Sequence, residues 1–228
     1  MSLPERQSEL IDTHRAVQDA ELPYVLVGGW AVSAFQTRFT TDIDTVIPDT
    51  ALDNYDTLLR DLGYEKQFEQ DVSNEYEGRM IQYTKQVGEN KVKFEALVDA
   101  IGCRQTDAEW SYRYLHEHST IESLDVVKDL DGRIPEPALL FAMKLHSGRK
   151  ADTRDLVVVS LRADFNRIER HLHRGDPRKL DGQIELVLHQ LKRDGFEDSF
   201  KGVFQQEKLP AGAVDNLVSF LSEQRDRL

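Results

Sequence analysis

Apolar positions along the chain fall into three arrangements, each with its own structural meaning. Residues 24–27 form a short continuous apolar run between Pro23 and the pair Gly28-Gly29, which predicts a buried strand ended by the glycines. Beyond them Ala31, Ala34 and Phe35 recur at i, i+3 and i+4, which predicts about two turns of helix with one face on the core. Alternation takes over in Thr41-Asp42-Ile43-Asp44-Thr45-Val46-Ile47 and again across residues 91–100, and both stretches predict strands. In the second strand Glu95, Leu97 and Asp99 share one side, and Phe94, Ala96 and Val98 the other.

Residues 137–148 are apolar almost throughout, as in a helix buried on most sides, with Pro137 suited to its first turn and Gly148 to its C-terminal cap. Asp152, followed three residues later by Asp155 and then by Leu156-Val157-Val158-Val159, predicts an N-cap opening the next helix. Past residue 160 the strands stop. Residues 162–174, 182–193 and 211–227 read as amphipathic helices, separated by Asp176-Pro177 and Leu209-Pro210. The pattern predicts an α/β (α+β) domain over residues 1–160 and a small C-terminal helical bundle over 161–228.

Composition narrows the function classes. A chain of 228 residues holds one domain of about 150 residues with a smaller appendage. It contains no apolar run long enough to span a bilayer and opens without a signal-peptide pattern, so the expectation is a cytoplasmic protein with no membrane partner. A lone cysteine, Cys103, excludes an internal disulfide, and no histidine has zinc-ligand spacing. The net charge of -12 argues against general electrostatic binding of nucleic acid. One window departs from this: between 162 and 179 six basic residues (Arg162, Arg167, Arg170, Arg174, Arg178, Lys179) meet only Asp164, Glu169 and Asp176. That window is either a seat for RNA or an ordinary solvated helix face.

The candidate chemistry lies in residues 25–44. Without a Cβ, Gly28 and Gly29 let backbone amides approach a bulky anion where the next helix exposes its unpaired N–H groups, which favours phosphate. Asp42 and Asp44, two apart on a strand, point to the same side roughly 6.6 Å from each other along the backbone, so they can share one divalent ion or bridge two. A glycine pair alone is an ordinary turn, and Asp-x-Asp alone is the wet face of any strand. Their order and spacing within 20 residues make the signal.

With that spacing the chain resembles the DNA polymerase β-like nucleotidyltransferase superfamily, whose signature is Gly-Gly or Gly-Ser followed about a dozen residues later by Asp-x-Asp. The Arg-x-Thr-x-Asp-Ile-Asp version, here Arg38 to Asp44, looks most like the minimal nucleotidyltransferases grouped with AbiEii-type abortive-infection toxins of toxin–antitoxin pairs. The resemblance implies a mixed sheet flanked by helices, Mg²⁺ (or Mn²⁺) on Asp42 and Asp44, and a nucleoside triphosphate held by Gly28 and Gly29 with Arg38 and Thr40. For Arg38 a salt bridge that fixes the strand is the alternative. A third carboxylate from a later strand completes the metal site and helps deprotonate the acceptor. Two acids compete for that place: Glu95 fits the mid-strand pattern, although relatives mostly carry aspartate, and Asp99 lies on the same side. A second block, residues 134–156, resembles the family's Leu-x-x-Lys-x-x-Ala-x-x-x-Arg-x-x-x-Asp pattern, which directs Lys144 at the nucleotide phosphates; the alternative is a lysine that snorkels to the surface, and Arg149 and Asp155 are candidates to orient it. The implied reaction is metal-dependent transfer of NMP to a hydroxyl on RNA, tRNA or protein, with an antitoxin as a further partner. A small-molecule acceptor, or a non-catalytic nucleotide-binding protein on the same scaffold, are the other readings.

Overall fold

The computed structural model describes residues 3–38, 40–71, 78–124, 126–127 and 129–228. The chain packs as two compact units. The first comprises Met1–Ala34, Phe39–Ile101 and Trp110–Pro135, and the second Phe35–Arg38, Gly102–Glu109 and Glu136–Leu228. Among the described residues no helix is long and apolar enough to cross a membrane.

The first unit opens with helix α1 (Leu3–Asp19), whose buried stripe Leu10, Ile11, His14 and Val17 has helical spacing. Next come β1 (Val25–Leu26), α2 (Gly28–Ser33), β2 (Asp42–Ile47), a 3-10 turn at Asp49–Ala51, α3 (Leu52–Asp61), β3 (Glu65–Asp71), β4 (Arg79–Val87) and β5 (Asn90–Val98). The strands form one sheet in the order β1-β2-β5-β4-β3. Strand β2 runs parallel to β5 and every other neighbouring pair is antiparallel, so the sheet is mixed, as the motif resemblance implies. On one side Ile43, Ile47, Ile81, Phe94 and Val98 are buried, and the Tyr55 ring of α3 lies 5.8 Å from that of Phe94. The other side carries the polar alternates of β2, β4 and β5. Helix α2 is shorter than its sequence pattern predicts: it ends at Ser33, and Ala34 and Phe35 lie in the half-buried turn beyond. A ribbon of β6 (Ala100–Cys103) and β7 (Ala108–Ser111), helix α4 (Tyr112–Glu117) and a second ribbon of β8 (Ser119–Ser123) and β9 (Asp131–Pro135) follow.

The second unit is helical: α5 (Pro137–Ser147), α6 (Lys150–Ser160), α7 (Phe165–Leu172), α8 (Pro177–Leu191), α9 (Phe196–Phe204) and α10 (Ala213–Arg225). Helix α5 is buried from Ala138 through His146 because α6, α7 and α8 all pack on it. It starts at Pro137 and stops at Gly148, which adopts φ +52° and returns its N–H to the Lys144 carbonyl at 3.0 Å. Composition changes near residue 160, whereas packing divides at Pro135 and Glu136, since α5 and α6 bury their apolar surface on the later helices. Helix α8 begins five residues before Gly182. Asp176 accepts the N–H groups of Arg178 and Lys179, and Pro177 takes the first helical position, so Asp176-Pro177 starts a helix as well as separating two. Asp164 caps α7 in the same way, which delays that helix to Phe165.

His146 is fully buried, with Nδ1 2.7 Å from the Thr106 hydroxyl and Nε2 2.8 Å from the Leu172 carbonyl. A neutral ring satisfies both contacts: Nε2–H donates to the carbonyl and Nδ1 accepts from the hydroxyl. Burial pushes its pKa from 6.5 down to about 4, the Leu172 carbonyl offsetting part of that effect. The unfolded chain therefore binds a proton that the folded one refuses. This contribution is fully present above pH 6.5 and is lost as pH falls toward 4, by about 3 kcal/mol. Denaturant melts at stepped pH values should show that slope, and His146→Gln should flatten it.

Candidate active site

Strand β2 positions both its neighbours. Because β1 pairs with it antiparallel (Val25 opposite Val46, Leu26 opposite Thr45), the chain leaves β1 alongside Asp44, and the Val27 N–H donates to the Asp44 carbonyl at 2.9 Å. Gly28 follows at φ +60°. A Cβ built there would lie 1.9 Å from Asp44 Oδ2, so the carboxylate fills the space that a side chain at position 28 would need. Glycine is thus required twice, by conformation and by contact.

On its other edge β2 pairs in parallel with β5, setting Asp42 beside Lys93 and Asp44 beside Glu95. Registered partners on neighbouring strands lie about 5 Å apart and share a face. Asp42, Asp44 and Glu95 share the half-exposed side of the sheet. The Thr40 hydroxyl sits 2.9 Å from Asp42 Oδ1 and 2.6 Å from the Asp42 carbonyl, fixing the approach to the strand. Strand β4 puts Gln82 opposite Glu95, and Gln82 Nε2 donates to Glu95 Oε1 at 2.7 Å. Lys93 is exposed and forms no ion pair among the described residues.

Asp99 is not brought into this group. It lies past the end of β5, four residues and about 13 Å along the strand direction from Glu95. Its backbone is left-handed at φ +66°, its Oδ1 accepts the Asp49 N–H at 2.8 Å, and its own N–H donates to the Ile47 carbonyl at 2.8 Å. Aspartate tolerates that conformation better than most residues, and here it closes a turn.

Lys144 and Arg38 belong to the second unit, in a buried ionic cluster. Lys144 Nζ, 6% exposed, donates to Asp152 Oδ1 at 2.9 Å and to Asp155 Oδ2 at 2.8 Å. Arg38 Nη1 reaches Asp155 Oδ1 at 2.5 Å, while Arg149 Nε and the Ser147 hydroxyl each reach Asp152 Oδ2 at 2.7 Å. Asp152 is therefore not an N-cap. Arg149 occupies the cap position of α6, and Asp152 sits in the first turn with its side chain turned to Lys144, because an ammonium in an apolar helix needs a charged partner more than the helix end needs a cap. Burial alone would lower the Lys144 pKa, but Asp155 and Asp152 outweigh it and hold the ammonium above its ordinary value. Burial likewise pushes Asp152 up, yet Lys144 and Arg149 hold its carboxyl below the usual carboxylate range.

Sequence patterning did not single out Gln82 or Lys93. Both are polar alternates on amphipathic strands, and only the strand pairing reveals which acid each one faces.

Two substitutions test this geometry. Gly28→Ala should destabilise the protein by roughly 1–2 kcal/mol or more in urea unfolding, from left-handed strain and the collision with Asp44. Lys144→Met should cost about 3–5 kcal/mol by stranding two buried carboxylates, and adding Asp152→Asn and Asp155→Asn should restore a large part of it.

No family model and no curated protein matches the chain. Solved structures do: an antigenic nucleotidyltransferase-like protein from Paracoccidioides brasiliensis is 16% identical at a TM-score of 0.51, over 95% of this chain and 99% of that one. JHP933 from Helicobacter pylori is 12% identical at a TM-score of 0.48, over 99% and 93% of the two chains. The antibiotic-resistance factor ANT(2'')-Ia is 16% identical at 0.44, over 99% and 96%. The first of these likenesses establishes the fold: the chain has the mixed-sheet, helix-flanked architecture of a nucleotidyltransferase-like protein.

Proposed function

We propose that the chain is a metal-dependent nucleotidyltransferase that moves a nucleoside monophosphate from an NTP to an acceptor hydroxyl. The observation that carries this reading is the register of β2 against β5, which pairs Asp44 with Glu95 and keeps Asp42 on the same face. All three offer hard oxygen donors, the set that suits Mg²⁺ or Mn²⁺. A divalent ion held there supplies charge neutralisation for the triphosphate and a lower pKa for the acceptor hydroxyl. In this reading Asp42 and Asp44 are the principal ligands, Glu95 rather than Asp99 completes the set, and Glu95 takes the proton as the acceptor oxygen attacks the α-phosphorus and pyrophosphate leaves. The backbone at Gly28 and Gly29 receives the outer phosphates. Thr40 keeps Asp42 oriented. A direct contact from Lys144 or Arg38 to phosphate requires their bonds to Asp155 to open; with those bonds closed, the two cations act by holding residues 35–38 in place.

RNA is the acceptor we favour. Within the basic window Arg167 is paired with Glu136, and Lys179 with Asp107 at 2.6 Å, while Arg162, Arg170 and Arg178 are exposed and unpaired among the described residues. Those three are available to a phosphate backbone. A protein antitoxin is proposed as a partner on the AbiEii-type resemblance.

Incubation with Mg²⁺, each α-labelled NTP in turn and total cellular RNA should label RNA, and Asp42→Asn/Asp44→Asn should reduce labelling at least about 10²-fold. Label in protein instead would reassign the acceptor. Nucleotide binding without transfer to either pool would leave a small-molecule acceptor or a non-catalytic binding protein as the reading.

A further inference from the structure

A glutamate at the third acidic position raises a problem that an aspartate would not. Its extra methylene adds a rotatable bond, so the carboxylate can swing across the sheet face, and holding it in one place costs conformational entropy. The sheet contains a device for this. Gln82 stands directly opposite Glu95 on β4, and its amide donates to Oε1 at 2.7 Å, a hydrogen bond strengthened by the carboxylate charge. Glu95 Oε2 takes no hydrogen bond from any described residue.

We propose that Gln82 is a positioning residue for the third carboxylate, fixing Glu95 through Oε1 so that Oε2 is offered to a divalent cation shared with Asp42 and Asp44. The inference rests on the reading of Glu95 as a ligand. The chemistry of the donor supports it. A carboxylate only accepts, so Gln82 must present its NH₂ group, and a neutral amide orients the acid without cancelling the charge that attracts the metal. Lysine or arginine at this position would hold Glu95 as firmly and compete with the cation. Asp42 is treated the same way: its side-chain partner, Thr40, is also neutral. Hydrogen-bonding groups behind metal ligands commonly set affinity by 10–100-fold.

The test uses Mn²⁺ alone, with free ion counted by electron paramagnetic resonance, and needs no nucleotide or acceptor. Gln82→Met keeps the side-chain length and removes the donor; the apparent Mn²⁺ dissociation constant should rise about 10-fold with the melting temperature little changed. In a Glu95→Asp background, where the shortened carboxylate no longer reaches the amide, Gln82→Met should add nothing further, the non-additivity that marks one residue acting through another. Unchanged Mn²⁺ affinity in Gln82→Met alongside a loss in Glu95→Gln would overturn the positioning role and leave Glu95 as a ligand. Unchanged affinity in Glu95→Gln itself would remove Glu95 from the metal site and this inference with it. Additive losses in the double variant would reduce Gln82 to a strand residue.

Discussion

In the five-stranded sheet β2 and β5 are the one parallel pair, and their register governs the whole acid face. Side chains alternate along a strand, so a slip of one residue would turn Asp42 and Asp44 onto the buried side, against Phe94 and Ala96, and bring Ile43 out to solvent. The register is held by that penalty. Ile43 and Ile47 are completely buried, and so are Val92 and Ala96 on the facing strand. Strand β1 exploits the same strand from its other edge, which is how the glycine turn comes to lie against Asp44. Apolar burial on one side of β2 thus fixes carboxylate geometry on the other.

The two units use charge in opposite ways. On the acid face the side-chain partners found for Asp42 and Glu95 are a hydroxyl and an amide, which orient without neutralising. In the second unit Lys144, Asp152 and Asp155 are buried together, with Arg38 and Arg149 closing the cluster. Charges withdrawn from water in this way contribute little net stability against an apolar alternative, yet removing one member is costly. They specify one arrangement of α5 and α6 and one anchorage for residues 35–38. The half-exposed acids keep their charge beside neutral partners, while the buried cluster is closed by opposite charges.

Much of this was legible in the sequence wherever the determining physics is local. Alternation marked β2 and β5, glycine and proline marked the ends of β1 and α5, and the order of the motif pointed to one sheet face. Nonlocal pairing was not legible. Glu95 and Asp99 share a side by simple alternation, and only the left-handed backbone at Asp99 and its bond to Asp49 separate them. Asp152 satisfied every local rule for a cap until a lysine from the preceding helix claimed it. Asp176-Pro177 carries the same two residues whether it ends one helix or begins the next, and the side-chain bonds to Arg178 and Lys179 decide it. Helix α9, opened by Gly195 in a left-handed conformation, carries no cap signal in its side chains.

The contact between Gly28 and Asp44 also bears on how such a site can change over generations. Because the carboxylate occupies the volume that a side chain at position 28 would take, the two positions do not vary independently. Loss of the acid removes the collision and leaves the left-handed backbone as the one remaining obstacle to alanine or serine at the turn. A lineage that retains the acid meets both obstacles, unless the carboxylate turns away from position 28. Among descendants of this scaffold, a larger residue at the turn would mark a chain whose acid face has already been given up.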